Sequence, residues 1–161
     1  MTPAVRVAAR EDAEVVARLL CAFRDHEGRH WPPDATMRAG VERLIGRDDT
    51  EYLLAGDPPA GVAQLRYRYG VWWDAEDCHL EDLFVIDAAR GTGLGRALVT
   101  AVIERARERG CRRIELDTAE ENAPALALYR SLGFRSGGDE PGRYGIFMRR
   151  RIPENVPPGW G

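Results

Sequence analysis

Apolar and polar positions alternate with two periods along this chain, and the changes of period mark its elements. Residues 5–8 read as a short strand. Over residues 11–23, Val15, Val16, Leu19, Leu20 and Phe23 share one helical face, with acidic residues in the first turn. The polar stretch DHEGRHWPPD breaks that helix. Asp34 can cap a second one, striped by Met37, Val41, Leu44 and Ile45. Residues 50–55 and 61–69 read as strands joined by the turn Gly56-Asp57-Pro58-Pro59. A loop around Trp72, Trp73 and Asp74 leads to an apolar strand over residues 78–86, with Leu80, Leu83, Phe84, Val85 and Ile86. After a turn at 87–90, Leu94, Leu98, Val102 and Ile103 recur at helical spacing as far as Gly110. Residues 113–117 make the next strand. Residues 122–132 make a helix capped by Asn122 and ended by Gly133. A last strand is expected over 144–150, paired with one around 134–136. The proline- and glycine-rich end, IPENVPPGWG, is expected to lack regular structure. Strands and helices in this order predict an α/β fold with a mixed sheet and no dividing linker.

The chemistry concentrates between the 78–86 strand and the helix after it. Arg90-Gly91-Thr92-Gly93-Leu94-Gly95-Arg96 is a glycine loop opening a helix. Glycines let a ligand approach the backbone closely, and the free N–H groups of the first helical turn favour an anion, most plainly a phosphate. The loop is not a P-loop, because Gly95 is followed by Arg96 and Ala97 rather than Lys and Ser/Thr. It is not a dinucleotide fingerprint either: the sixth position is Arg96 counted from Gly91, and Leu98 counted from Gly93.

The loop does resemble the acetyl-CoA loop of the GNAT N-acetyltransferases, Q/R-x-x-G-x-G/A. The later segment ENAPALALYRSLGF resembles that family's Asn, helix, Tyr, Gly-Phe segment, in the family's order and separation. The resemblance implies a mixed, mostly antiparallel sheet splayed at its centre with helices on both faces, formed by a single domain over 1–151, with a tail over 152–161. It implies acetyl transfer from acetyl-CoA to a primary amine by direct attack, with Tyr129 as proton donor to the leaving thiolate. Leu83, Phe84 and Val85, the loop residues Arg90 to Arg96, Asn122 and Tyr129 would then hold the cofactor. The segment GVAQLRYRYGVWW followed by HLEDLFV is similar to the polyamine and diamine acetyltransferases. That likeness puts Glu81 and Asp82 at the amine site, with Glu81 the expected base. Carboxylates and ring faces are then expected to hold a small cationic amine among Glu81, Asp82, Trp72, Trp73 and the loop over residues 26–34. On a regular strand Glu81 and Asp82 point to opposite faces, so both reach the acceptor only if a bulge intervenes. The competing role for Trp72 and Trp73 is to cap the core or to form a homodimer contact.

Charge and cysteine usage narrow the setting. A formal net charge of −3 argues against a nucleic-acid partner. No apolar run approaches about 18 residues, so no membrane span is expected. The start of the sequence has no long apolar region and is not read as a secretory signal. Cys21, Cys78 and Cys111 are odd in number and lack C-x-x-C spacing, which fits a reduced cytoplasm. Two other readings stay open: a CoA-binding regulatory module without catalysis, and a zinc hydrolase built on His26-Glu27-Gly28-Arg29-His30, which matches H-E-x-x-H. Gly28 and the following Trp31-Pro32-Pro33 count against that helix, and no metal is expected.

Overall fold

The order of elements follows the apolar pattern closely. The computed structural model describes residues 2–137 and 146–157, in two compact units, Met1–Asp117 and Thr118–Gly161. The first unit runs β1 (Val5–Val7), α1 (Ala13–His26), α2 (Asp34–Leu44), β2 (Thr50–Ala55), β3 (Gly61–Gly70), β4 (Ala75–Val85), α3 (Leu94–Glu108) and β5 (Arg113–Glu115). A 3-10 turn at Arg10–Asp12 leads into α1, and another at Asp87–Ala89 follows β4. The five strands lie in the order β1-β2-β3-β4-β5. The first three pairings are antiparallel; β4 and β5 run parallel, and only over Asp77–His79 against Arg113–Glu115. The expected splay therefore lies between β4 and β5, at the edge of the described sheet.

Helices cover both faces, as the mixed α/β class requires. α1 and α2 bury Val16, Leu19, Leu20 and Val41 against Tyr52, Leu54, Val62 and Phe84. On the other face α3 buries Leu98, Val99 and Val102 completely. Gly61 makes this second contact close: a Cβ there would stand 3.0 Å from Leu98 Cδ1 and 3.3 Å from Val85 Cγ2. Charged pairs then fix the helix along its axis. Arg105 donates to Glu51 at 2.6 and 3.0 Å, and the Tyr67 hydroxyl donates to the same carboxylate at 3.1 Å. Arg109 lies 3.9 Å over the Tyr67 ring and pairs with Glu76.

In the second unit, α4 (Ala123–Ser131) starts where Asn122 accepts from the Ala125 N–H at 3.3 Å and stops at the left-handed Gly133. Tyr129 is buried within it, its ring 5.7 Å from that of Phe134. Two expectations need correction. Residues 146–150 and 134–136 form no strand, while Tyr144 and Gly145 lie outside the described residues. Ile146, Phe147 and Met148 are exposed, so the apolar run that suggested a strand finds no sheet face to cover it among the described residues. The chain end also has a short 3-10 turn, Pro153–Asn155, which proline at its start favours. No helix among the described residues is long and apolar enough to cross a membrane.

Leu98 is the side chain on which α3 rests. Leu98→Ala should lower the unfolding free energy by about 2–5 kcal/mol, read from urea denaturation. A change below about 1 kcal/mol would mean that α3 closes onto the sheet without it.

Candidate active site

One extra residue in β4 sets the site's geometry. Gln64 of β3 pairs with Asp82, but the next residue, Leu65, pairs with Leu80, so Glu81 is a β-bulge with no partner of its own. Side chains alternate regularly on either side of it. Leu83 and Val85 share the α3 face with Leu80 and Cys78, while Phe84 and Asp82 share the α1/α2 face with His79. The bulge puts Glu81 and Asp82 together on that α1/α2 face. His79 confirms the direction, since its Nε2 lies 3.8 Å from Glu81 Oε2 and 3.8 Å from Asp117 Oδ1 just beyond β5.

The same face is divided in two. The helices cover the half holding Tyr52, Leu54, Val62 and Phe84. Along β4 the other half carries Asp77, His79, Glu81 and Asp82. Glu81 is exposed and Asp82 is half-buried, opposite Gln64, which is buried. Burial, and then the neighbouring Glu81 carboxylate, push the Asp82 carboxyl up to about 6. Asp117 adds to the rise, and His79 and Arg29 work against it. Tyr52, beside Gln64 in the ladder, is also raised to about 12, mainly by burial and then by the Asp82 charge. The result is a partly desolvated carboxylate group with a base near neutrality, suited to a cation that can give up a proton.

β4 also offers its backbone. The Ile86 N–H donates to the Ala60 carbonyl at 3.0 Å. Antiparallel alternation then turns the amides of Phe84 and Asp82 toward β3, and those of Leu83 and Val85 toward the edge that β5 has left. The Val85 carbonyl follows this rule, accepting from Arg90 Nε at 3.1 Å. Immediately beyond lies the glycine loop. Gly91 and Gly93 have φ of +74° and +88°, left-handed values that other residues rarely adopt. Thr92 Oγ1 donates to the Ala89 carbonyl at 2.6 Å, and the first intrahelical bond of α3 runs from the Ala97 N–H to Gly93 at 3.0 Å. No side chain caps α3, and a helix start of this kind, with the N–H groups of Leu94, Gly95 and Arg96 in its first turn, suits an anion.

The structure does not gather every residue singled out from the sequence. Phe84 is buried, stacked 5.2 Å from Phe23, and its amide faces β3, so it serves the core and not the open edge. Trp72 and Trp73 sit at the β3–β4 turn. The strand from Ala75 to Glu81 carries the bulged pair about 20 Å away from them. Trp72 is 90% exposed, and Trp73 lies against Arg112, 4.2 Å from ring to guanidinium. Asn122 and Tyr129 lie on the second unit's helix, where burial raises the Tyr129 phenol above its ordinary value and keeps its proton on. The H-E-x-x-H segment does not form one helix: α1 ends at His26 and Gly28 is left-handed, with φ +67°. Burial pushes the Cys78 thiol up to about 12, which leaves it a core residue and not a nucleophile. Gln64, His79 and Asp117 were missed, because only strand register brings them to the Glu81–Asp82 pair, whereas Arg29 comes from the loop between α1 and α2, which was expected beside the acceptor.

Residues 20–134 match the model of the Acetyltransferase (GNAT) family. Among curated proteins, the chain is 41% identical over 58 residues to glucosamine 6-phosphate N-acetyltransferase of Trypanosoma brucei brucei, covering 36% of this chain and 37% of that protein. It is 33% identical over 89 residues to thialysine N-epsilon-acetyltransferase of Sus scrofa, covering 53% and 52%. The chain thus spans about a third to a half of these relatives' length. A crystal structure of a candidate acetyltransferase from Arthrobacter sp. FB24 superposes with a TM-score of 0.83 at 30% identity, covering 94% of this chain and 96% of that one.

The Asp82 carboxyl should titrate with a midpoint near 6 when followed by carbon-13 NMR. Glu81→Gln removes a like charge and should lower that midpoint, since it is the proton-free form of Asp82 that Glu81 disfavours. A wild-type midpoint in the ordinary carboxylate range near ~4 would mean that water reaches Asp82 freely.

Proposed function

This chain belongs to the GNAT acetyltransferase family, and we propose that it is an acetyl-transferring enzyme that carries acetyl from acetyl-CoA to a primary amine on a small cationic acceptor. The observation that carries this reading is the bulge at Glu81, which sets two carboxylates on one face beside a strand edge that no described strand covers and a glycine loop. In this proposal the CoA diphosphate meets the N–H groups of Leu94, Gly95 and Arg96 at the start of α3. The pantetheine arm lies along the β4 edge, hydrogen-bonded by the Leu83 and Val85 backbone. The thioester oxygen takes the N–H donors of that edge as negative charge develops on it.

The acceptor arrives as an ammonium. An alkylammonium near pKa ~10.4 must lose its proton to attack, at a cost of about 4.6 kcal/mol at pH 7. Glu81 and Asp82 hold the cation and take its proton as the C–N bond forms. Asp82, held up to about 6, is better matched to that transfer than an ordinary carboxylate. The nitrogen lone pair attacks the thioester carbonyl carbon, the C–S bond breaks as the tetrahedral intermediate collapses, and the thiolate takes a proton. Tyr129 is the proposed donor, on the strength of its position in the family motif and its retained phenol proton. The acetyl group passes directly, with no acyl-enzyme, which suits a chain whose one buried cysteine is inert. Thialysine, the substrate in one relative's name, carries a terminal amine on a charged amino acid, consistent with an acceptor read by carboxylates.

An amine panel assayed by thiol release from acetyl-CoA tests the reading. Diamines and lysine-like amines should turn over faster than amino sugar phosphates, whose anionic group meets the carboxylates. Asp82→Asn should raise KM for a diamine about tenfold or more, and much less for an amino acid ester. Equal effects on both would show that Asp82 does not read acceptor charge, and no turnover with any amine would overturn the proposal. Gly93→Asp should abolish CoA binding in a folded protein, because it places a negative charge at the diphosphate and forces φ +88° on a residue with a Cβ. Unchanged CoA affinity would move the cofactor elsewhere.

A further inference from the structure

The segment that resembled a zinc motif has its first histidine in contact with the glycine loop. His26, the last residue of α1, places Nε2 3.2 Å from an Arg90 guanidinium nitrogen across 64 residues of chain. Arg90 is otherwise held by the Val85 carbonyl at 3.1 Å and by Asp87 Oδ1 at 3.2 Å, with its guanidinium 5.8 Å over the Phe84 ring. His26 Nδ1 lies 3.7 Å from the same Asp87 oxygen, and its ring is tilted 5.9 Å from that of Phe84. Arg90 therefore folds back onto the end of β4 and the end of α1, rather than reaching forward past the glycines.

We propose that His26 is a positioning residue for the acetyl-CoA loop, its neutral ring holding Arg90 in the folded-back pose from which the glycine amides meet the cofactor. This rests on the acetyltransferase reading above. The physical reason lies in donors and acceptors. A guanidinium has only donors, so Nε2 accepts, and the ring proton sits on Nδ1 toward Asp87. Protonation converts Nε2 into a donor facing a donor and sets imidazolium against guanidinium, so the contact is lost. Arg90 opens the loop and Val85 closes β4, and the bond between them spans the Asp87–Ala89 turn. That bond sets the spacing between the strand edge that takes the pantetheine arm and the amides that take the diphosphate. Loosening it leaves both half-sites intact but no longer preorganised for one ligand.

The charged groups facing His26 are Asp87 from the 3-10 turn and Arg90 from the loop; β4 contributes the uncharged Phe84 ring. Asp25, Glu27 and Arg29 are its charged neighbours in the chain.

The test is calorimetric binding of CoA alone to wild type, His26→Ala and His26→Gln at pH 8.0. The glutamine amide oxygen restores an acceptor for Arg90. Wild type and His26→Gln should bind alike and His26→Ala about two- to tenfold more weakly. kcat at saturating acetyl-CoA should be nearly equal in all three. Equal CoA affinity of His26→Ala and wild type, or His26→Gln binding no better than His26→Ala, would overturn the inference. Failure of wild type to bind CoA would overturn it together with the reading it rests on.

Discussion

The insertion of Glu81 into β4 is the constraint on which the rest of the site depends. A strand has two faces, and α3 needs apolar side chains from β4 on its own face throughout. Cys78 and Leu80 supply them before the bulge and Leu83 and Val85 after it, although even- and odd-numbered positions cannot share a face on a regular strand. One added residue reconciles the two sets. Its by-product is a pair of adjacent carboxylates on the opposite face, a placement that regular pleating forbids.

That placement has an energetic consequence. Asp82 at about 6 is harder to ionise in the folded chain than in the unfolded one, so its charge opposes folding at neutral pH. The opposition is relieved as pH falls from about 6 toward the ordinary carboxylate range. Asp12 has the contrary sign: the Arg6 guanidinium lowers its carboxyl to about 2, so its stabilisation is present above the ordinary value and lost as pH falls toward 2. Stabilising pairs of this kind lie outside the site, and the destabilising carboxylate lies inside it. This is the distribution expected where a group is kept poised for proton transfer instead of being neutralised by a partner.

Much of this was legible in the sequence, and what was not shares one cause. The strand over residues 50–55 and the glycine loop came from local pattern and turn chemistry, and both stand where that pattern put them. Even the bulge left a trace, because the apolar set shifts from Cys78 and Leu80 to Leu83 and Val85. What a single sequence does not carry is register. Only the pairing of Gln64 with Asp82 and of His79 with Glu115 shows that His79 and Asp117 stand beside Glu81. The two tryptophans were misplaced for the same reason: they are near Glu81 in sequence, and a strand converts that nearness into distance. α1 outran its expected end at Phe23 because its burial ends before its hydrogen bonding does. Arg24, Asp25 and His26 continue the helix with polar side chains until the left-handed Gly28 stops it.

Those three added residues matter, because they bring His26 level with the end of β4. β4 then has a distinct task at each part of its length. Its middle turns carboxylates toward the proposed acceptor, its last residues turn backbone groups toward the proposed thioester, and its end is tied through Val85 and Arg90 to the loop proposed for the diphosphate. A shift of β4 by one residue would reverse the first two directions and pull on the third. Donor and acceptor geometry are therefore set by one register, held by a strand pairing on one side and by α3 beneath. An added Cβ at Gly61 would press on the Leu98 and Val85 side chains and disturb that register from the apolar side.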